Sequence, residues 1–99
     1  MKAYRRNYER FRVNAIASLT GRIAGGYEKR SVIIKDLSSR GAGIISYSPL
    51  EAMNKVTLDF EIPPLFSQPV RKEAVIAWSK PESDHWICGL NFGINSLAF

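Results

Sequence analysis

The stretch Val56-Thr57-Leu58-Asp59-Phe60-Glu61-Ile62 sends Val56, Leu58, Phe60 and Ile62 to one side of the chain and Thr57, Asp59 and Glu61 to the other. Successive side chains of a strand leave opposite faces, so this alternation reads as a half-buried β-strand. Pro63-Pro64 ends it, because proline has no N–H to give a sheet ladder. Working outward, Val70 to Trp78 is a second strand with Ala74, Ile76 and Trp78 on one face, and Lys80 to Asp84 is its turn. Trp86, Cys88, Leu90 and Phe92 then alternate with Ile87, Gly89 and Asn91 as the last strand, which points Cys88 into the core. Upstream, Gly43 to Tyr47 and the β-branched run Ser31 to Lys35 are compact strands. Val13, Ala15, Ala17 and Leu19 alternate with Asn14, Ser18 and Thr20, and only Ile16 breaks the polar face. Thr20 to Gly26 reads as a flexible turn, and Pro49 to Asn54 as one short turn at most. Six short strands separated by polar turns make an all-β barrel or sandwich.

The 99 residues make one domain, with a composition of 45% hydrophobic and 23% charged that suits a globular core rather than a disordered chain. The one cysteine, Cys88, excludes an internal disulfide and favours a reducing compartment. The first ten residues lack the apolar stretch of a signal peptide, and Ala74 to Trp78 is far too short to span a bilayer. The expectation is a cytoplasmic protein without membrane insertion. The net charge of +5 is uneven: residues 1–12 carry Lys2, Arg5, Arg6, Arg10 and Arg12 against Glu9, while the remaining chain is nearly neutral. A basic arm over 1–12 therefore precedes a domain over 13–99. Guanidinium forks suit phosphate oxygens or a guanine edge, so an anionic partner is one reading and a solvating tail the other.

Catalytic and metal chemistry find no foothold. His85, the one histidine, sits in a turn, and with Cys88 it does not make the three or four clustered ligands of a metal site. No phosphate-binding glycine loop is present, and no acid pair has a spacing that announces acid–base work. The chain is expected to bind a ligand rather than transform one, and to need no cofactor.

Two strings stand out: Arg5-Arg6-Asn7-Tyr8-Glu9-Arg10, just before the first strand, and Asp36-Leu37-Ser38-Ser39-Arg40-Gly41, between the second and third. In this order, and followed by Ala74 to Trp78 and Gly89 to Phe92, they resemble the signature of the PilZ domain family, bacterial receptors for cyclic di-GMP. The resemblance runs from about Arg5 to Phe92. It implies a six-stranded antiparallel β-barrel with a flexible basic N-terminal arm and, here, a C-terminal helix that is short or absent. It also implies a site in which Arg5, Arg6 and Arg10 of the arm and Asp36, Ser38 and Gly41 of the loop hold cyclic di-GMP. The arm then wraps over the barrel and changes the surface shown to a downstream protein, in motility or biofilm control. In proteins that resemble this one, a third arginine in the place of Arg5 goes with a stacked pair of ligand molecules.

Those residue types also make sense chemically. Guanine offers O6 and N7 to an arginine fork, and its N1–H and N2–H₂ donors need an acceptor such as Asp36. The hydroxyl of Ser38 is a second polar contact. Gly41 frees the backbone to turn or to approach the ligand. The bland alternatives are an Asx- or Ser-turn at Asp36 and Ser38, a turn glycine at Gly41, and core or rim packing for Trp78 and Trp86. Two other functions compete: a nucleotide-independent adaptor working through protein contacts, and a small nucleic-acid-binding barrel. The mixed charge on the strands' outward faces counts against the last. The apolar ending Leu97-Ala98-Phe99 calls for cover, in the barrel mouth or in a dimer contact, so the chain is expected as monomer or homodimer.

Overall fold

The computed structural model describes residues 9–23, 25–63, 65–94 and 96–98. Six strands, β1 (Arg10–Ile23), β2 (Gly26–Ser38), β3 (Gly41–Ser46), β4 (Lys55–Phe60), β5 (Val70–Pro81) and β6 (Trp86–Asn91), close into an antiparallel barrel in the order β1-β2-β3-β6-β5-β4. There is no helix among the described residues, and so none long and apolar enough to cross a membrane. The core lies inside the barrel and takes inward residues from every strand, among them Leu19, Ile34, Ile44, Leu58, Ile76 and Cys88.

The strands run longer than local composition suggests. β1 begins at Arg10 because the alternation continues upstream: Phe11 and Val13 are half-buried, while Arg10, Arg12 and Asn14 face out. Arg10 and Arg12 are therefore strand residues, although their charge groups them with the arm. The segment Thr20 to Gly26, expected as a flexible turn, is mostly strand. Thr20 and Gly21 pair with Thr57 and Val56 of β4, the β1–β2 ladder continues to Ile23 opposite Gly26, and Gly25 has φ 87°. Gly21 is needed for that pairing, since a Cβ there would meet Val56 Cγ1 at 2.8 Å. At the other end of the chain, Leu97 is buried in the core, and its N–H donates to the Ser39 carbonyl at 2.8 Å. Of the apolar ending, Leu97 thus finds cover beneath the β2–β3 corner, while Ala98 is exposed and residue 99 lies outside the described residues.

Three irregularities interrupt the ladders, in β1 between Arg12 and Ala15, in β2 between Ile34 and Asp36, and in β5 between Ile76 and Trp78. An extra residue in a strand reverses the faces of everything after it. Strict alternation from Val32 and Ile34 would send Asp36 into the core; Lys35 is the extra residue, and Asp36 emerges on the outer face. Ala77 does the same in β5. Trp78, expected on the face of Ala74 and Ile76, is turned out and is 49% exposed.

Candidate functional site

The two bulges bring Asp36 and Trp78 into one lateral row. Asp36 pairs with Gly43, Gly43 with Gly89, and Gly89 with Trp78, so the row crosses β2, β3, β6 and β5 on the outside of the barrel. The two middle positions have no side chain, and the flanking side chains fold over them. A Cβ on Gly43 would meet Asp36 Oδ2 at 2.8 Å, and one on Gly89 would meet Trp78 Cε2 at 2.6 Å. A carboxylate thus rests above one glycine and an indole above its neighbour, about 5 Å apart as adjacent strands are. The result is a trench of about 340 Å³ with a floor of backbone.

Its rim is cationic. Arg10, Lys35 and Arg40 line it against the single acid Asp36, and Asn91 adds an amide. The Arg10 guanidinium, at the first residue of β1, donates to Asp36 Oδ1. Two motif positions that share no other chemistry in the sequence are therefore in contact. Arg5 and Arg6 lie outside the described residues.

Ser38 and Gly41 shape the corner behind the trench. Ser38 is buried, and its hydroxyl accepts from the N–H groups of Arg40 and Gly41, each at 3.2 Å. That hydroxyl holds the tight β2–β3 turn and sets where Arg40 stands. Gly41 sits where β3 presses on β6: a Cβ there would collide with the Leu90 carbonyl oxygen. The glycine is required by this close approach rather than by a left-handed backbone, since only Gly25 and Gly93 among the described glycines have positive φ.

The other chemistry-bearing groups stand apart. Cys88 is fully buried, and burial pushes its thiol pKa up, which suits a core residue and not a nucleophile. His85 faces Asp84 at 2.7 Å and the Tyr47 ring at the β5–β6 turn, outside the trench lining. Of the site residues expected from the sequence, Arg10, Asp36, Ser38 and Gly41 line the trench, while its other lining residues Trp78, Gly43, Gly89, Lys35 and Arg40 were not among them. The bulge at Ala77, invisible to a period-two reading, hid Trp78; Gly89 counted only as part of the family resemblance in Gly89 to Phe92, and Gly43 carried no signal until strand register set the two side by side.

Comparison with known proteins agrees with this architecture. Among solved structures, the chain is similar to the Bacillus subtilis inhibitor of motility MotI/DgrA, with a TM-score of 0.71 and 15% identity, covering 92% of this chain and 44% of that one. It is also similar to the K. pneumonia MrkH structure, a complex with c-di-GMP, with a TM-score of 0.66 and 18% identity, covering 93% of this chain and 46% of that one. The chain therefore spans less than half the length of either. No curated protein matches it in sequence. The family model described as the PilZ domain matches residues 4–97, so this chain belongs to the PilZ domain family.

Proposed function

We propose that this chain is a non-enzymatic receptor for cyclic di-GMP, which it binds in the trench between Asp36 and Trp78. One observation carries the reading: an acceptor carboxylate and an exposed indole stand side by side over glycine backbone, with three cations on the rim. A guanine needs each of these. Asp36 takes the N1–H and N2–H₂ donors, an arginine fork meets O6 and N7, and the indole offers a flat partner for the purine. The two phosphates then fall to the cations. Membership of the PilZ family and the likeness to the MrkH complex with c-di-GMP support the choice of ligand.

In this reading Arg10 moves between partners. Its pair with Asp36 is partly exposed, at 37% and 30% of the side chains, and such a pair is worth only about 0–1 kcal/mol. A guanine edge replaces it at little cost and frees Arg10 for a phosphate. Arg6 is tethered four residues upstream, within about 14 Å of extended chain, so it reaches the same ligand. Arg5 adds a cation for a second ligand molecule. Ordering roughly ten arm residues costs on the order of 10 kcal/mol of backbone entropy, which only several charge-assisted bonds together offset. Ser38 and Gly41 act by fixing the corner from which Asp36 and Arg40 project. The closed arm presents a new surface to a downstream protein; the likeness to an inhibitor of motility supports a role in motility or biofilm control.

Calorimetric titration with cyclic di-GMP, with GTP and a single-stranded oligonucleotide as controls, tests this. Selective binding at micromolar affinity or tighter is expected, and its loss in Arg6→Ala, Arg10→Ala and Asp36→Ala. Equal affinity for the three anions, or none for cyclic di-GMP, would contradict it. Saturation near two ligands per chain would support the role given to Arg5, and a ratio of one would remove it.

A further inference from the structure

A second row crosses the barrel beside the trench. The alternation that buries Ala17, Val32, Ile34, Ile44 and Cys88 turns their neighbours outward. Ile16 pairs with Ile33, Ile33 with Ile45, and Ile45 with Ile87, which sets four isoleucines side by side on the outer face of β1, β2, β3 and β6. Four adjacent strands make this an apolar stripe about 14 Å wide. Ile16 is 76% exposed, and Ile33, Ile45 and Ile87 are half-buried. Ile87 pairs onward with Lys80. At the other end, the Ser18–Asp59 pairing carried two residues further brings Glu61 beside Ile16, and both line one hollow. The row thus reads Glu61, Ile16, Ile33, Ile45, Ile87, Lys80. Glu61 and Lys80 are exposed, and neither has an ion-pair partner among the described residues.

We propose that this row is the interface of a homodimer. An apolar stripe with an acid at one end and a cation at the other is complementary to itself. A two-fold axis through its middle stacks Ile33 and Ile45 of one protomer on the same residues of its partner and sets each Glu61 against the other copy's Lys80. Such an isologous contact closes at two copies. An anionic surface or an acidic partner would be repelled at the Glu61 end, so the charge pattern selects a second copy. The proposal does not rest on cyclic di-GMP binding, although Ile87 also lines the trench.

Sedimentation of the full chain without nucleotide, over a concentration series into the millimolar range, tests it. The wild type sediments as a reversible dimer. The outward pair Ile16→Asp with Ile33→Asp raises the dissociation constant about thirtyfold or more. Lys80→Glu and Glu61→Lys each raise it about fivefold, and together they restore it. Ile94→Asp, at an exposed apolar residue off the row, leaves it unchanged. If the paired aspartates prevent folding, the charge exchange decides alone. A monomer at every concentration, a dimer indifferent to the row, or a charge exchange without restoration would overturn the proposal.

Discussion

Gly89 lies beneath the Trp78 indole, and the smallest possible side chain there would enter the ring. What gives way is a half-exposed side chain rather than backbone, so Gly89→Ala is expected to fold with a melting temperature within a few degrees of wild type. The indole is displaced from the trench, and affinity for cyclic di-GMP falls about tenfold, the scale of one lost base–aromatic contact. Fluorescence and calorimetry on the same sample check both halves; unchanged affinity with a shifted indole would remove Trp78 from the site. Gly41→Ala is the counterpart. Its Cβ meets the Leu90 carbonyl, which β6 cannot withdraw without breaking its ladder, so thermal denaturation should show a loss of about 1–3 kcal/mol or failure to fold. The two glycines thus separate binding from stability. At this scale the sequence marked Asp36, whose chemistry announces itself, but left Gly43 silent and gave Gly89 no role at the site, because the meaning of a missing side chain depends on what lies across the strand.

The elements were legible wherever alternation was strict, as in β4 and β6, and misread wherever it broke. A single extra residue in β2 and in β5 decides that Asp36 and Trp78 face solvent together, and nothing at Lys35 or Ala77 advertises it. The hairpin of β1 and β2 was underestimated for another reason: its far half is held by pairing between polar residues, such as Arg22 with Tyr27 and Thr20 with Lys29, which carry no apolar rhythm. The C-terminal segment is a small element with a definite job. Leu97 fills the barrel mouth, its N–H holds the Ser39 carbonyl, and the Ser96 carbonyl accepts from Lys72 Nζ at 3.1 Å. Truncation after Ile94 is expected to cost about 2–3 kcal/mol, roughly the burial of one leucine with its hydrogen bond. Chemical denaturation measures this, and a midpoint equal to wild type would mean that Leu97 contributes nothing to the corner.

For the molecule as a whole, closure of the barrel turns two local accidents into a site. β3 and β6 are far apart in sequence, yet closure puts Gly43 against Gly89 and so sets the carboxylate of β2 within reach of the indole of β5. The start of β1 at Arg10 then sets that guanidinium at the edge of the trench, against Asp36. The most direct measurement is an amide and indole chemical-shift map of the labelled protein titrated with cyclic di-GMP. The account predicts that the largest shifts fall on Asp36, Gly43, Gly89 and the Trp78 indole N–H, while the Trp86 indole moves little. Shifts gathered instead on the outer face of β4, around Thr57 and Lys55, would contradict it.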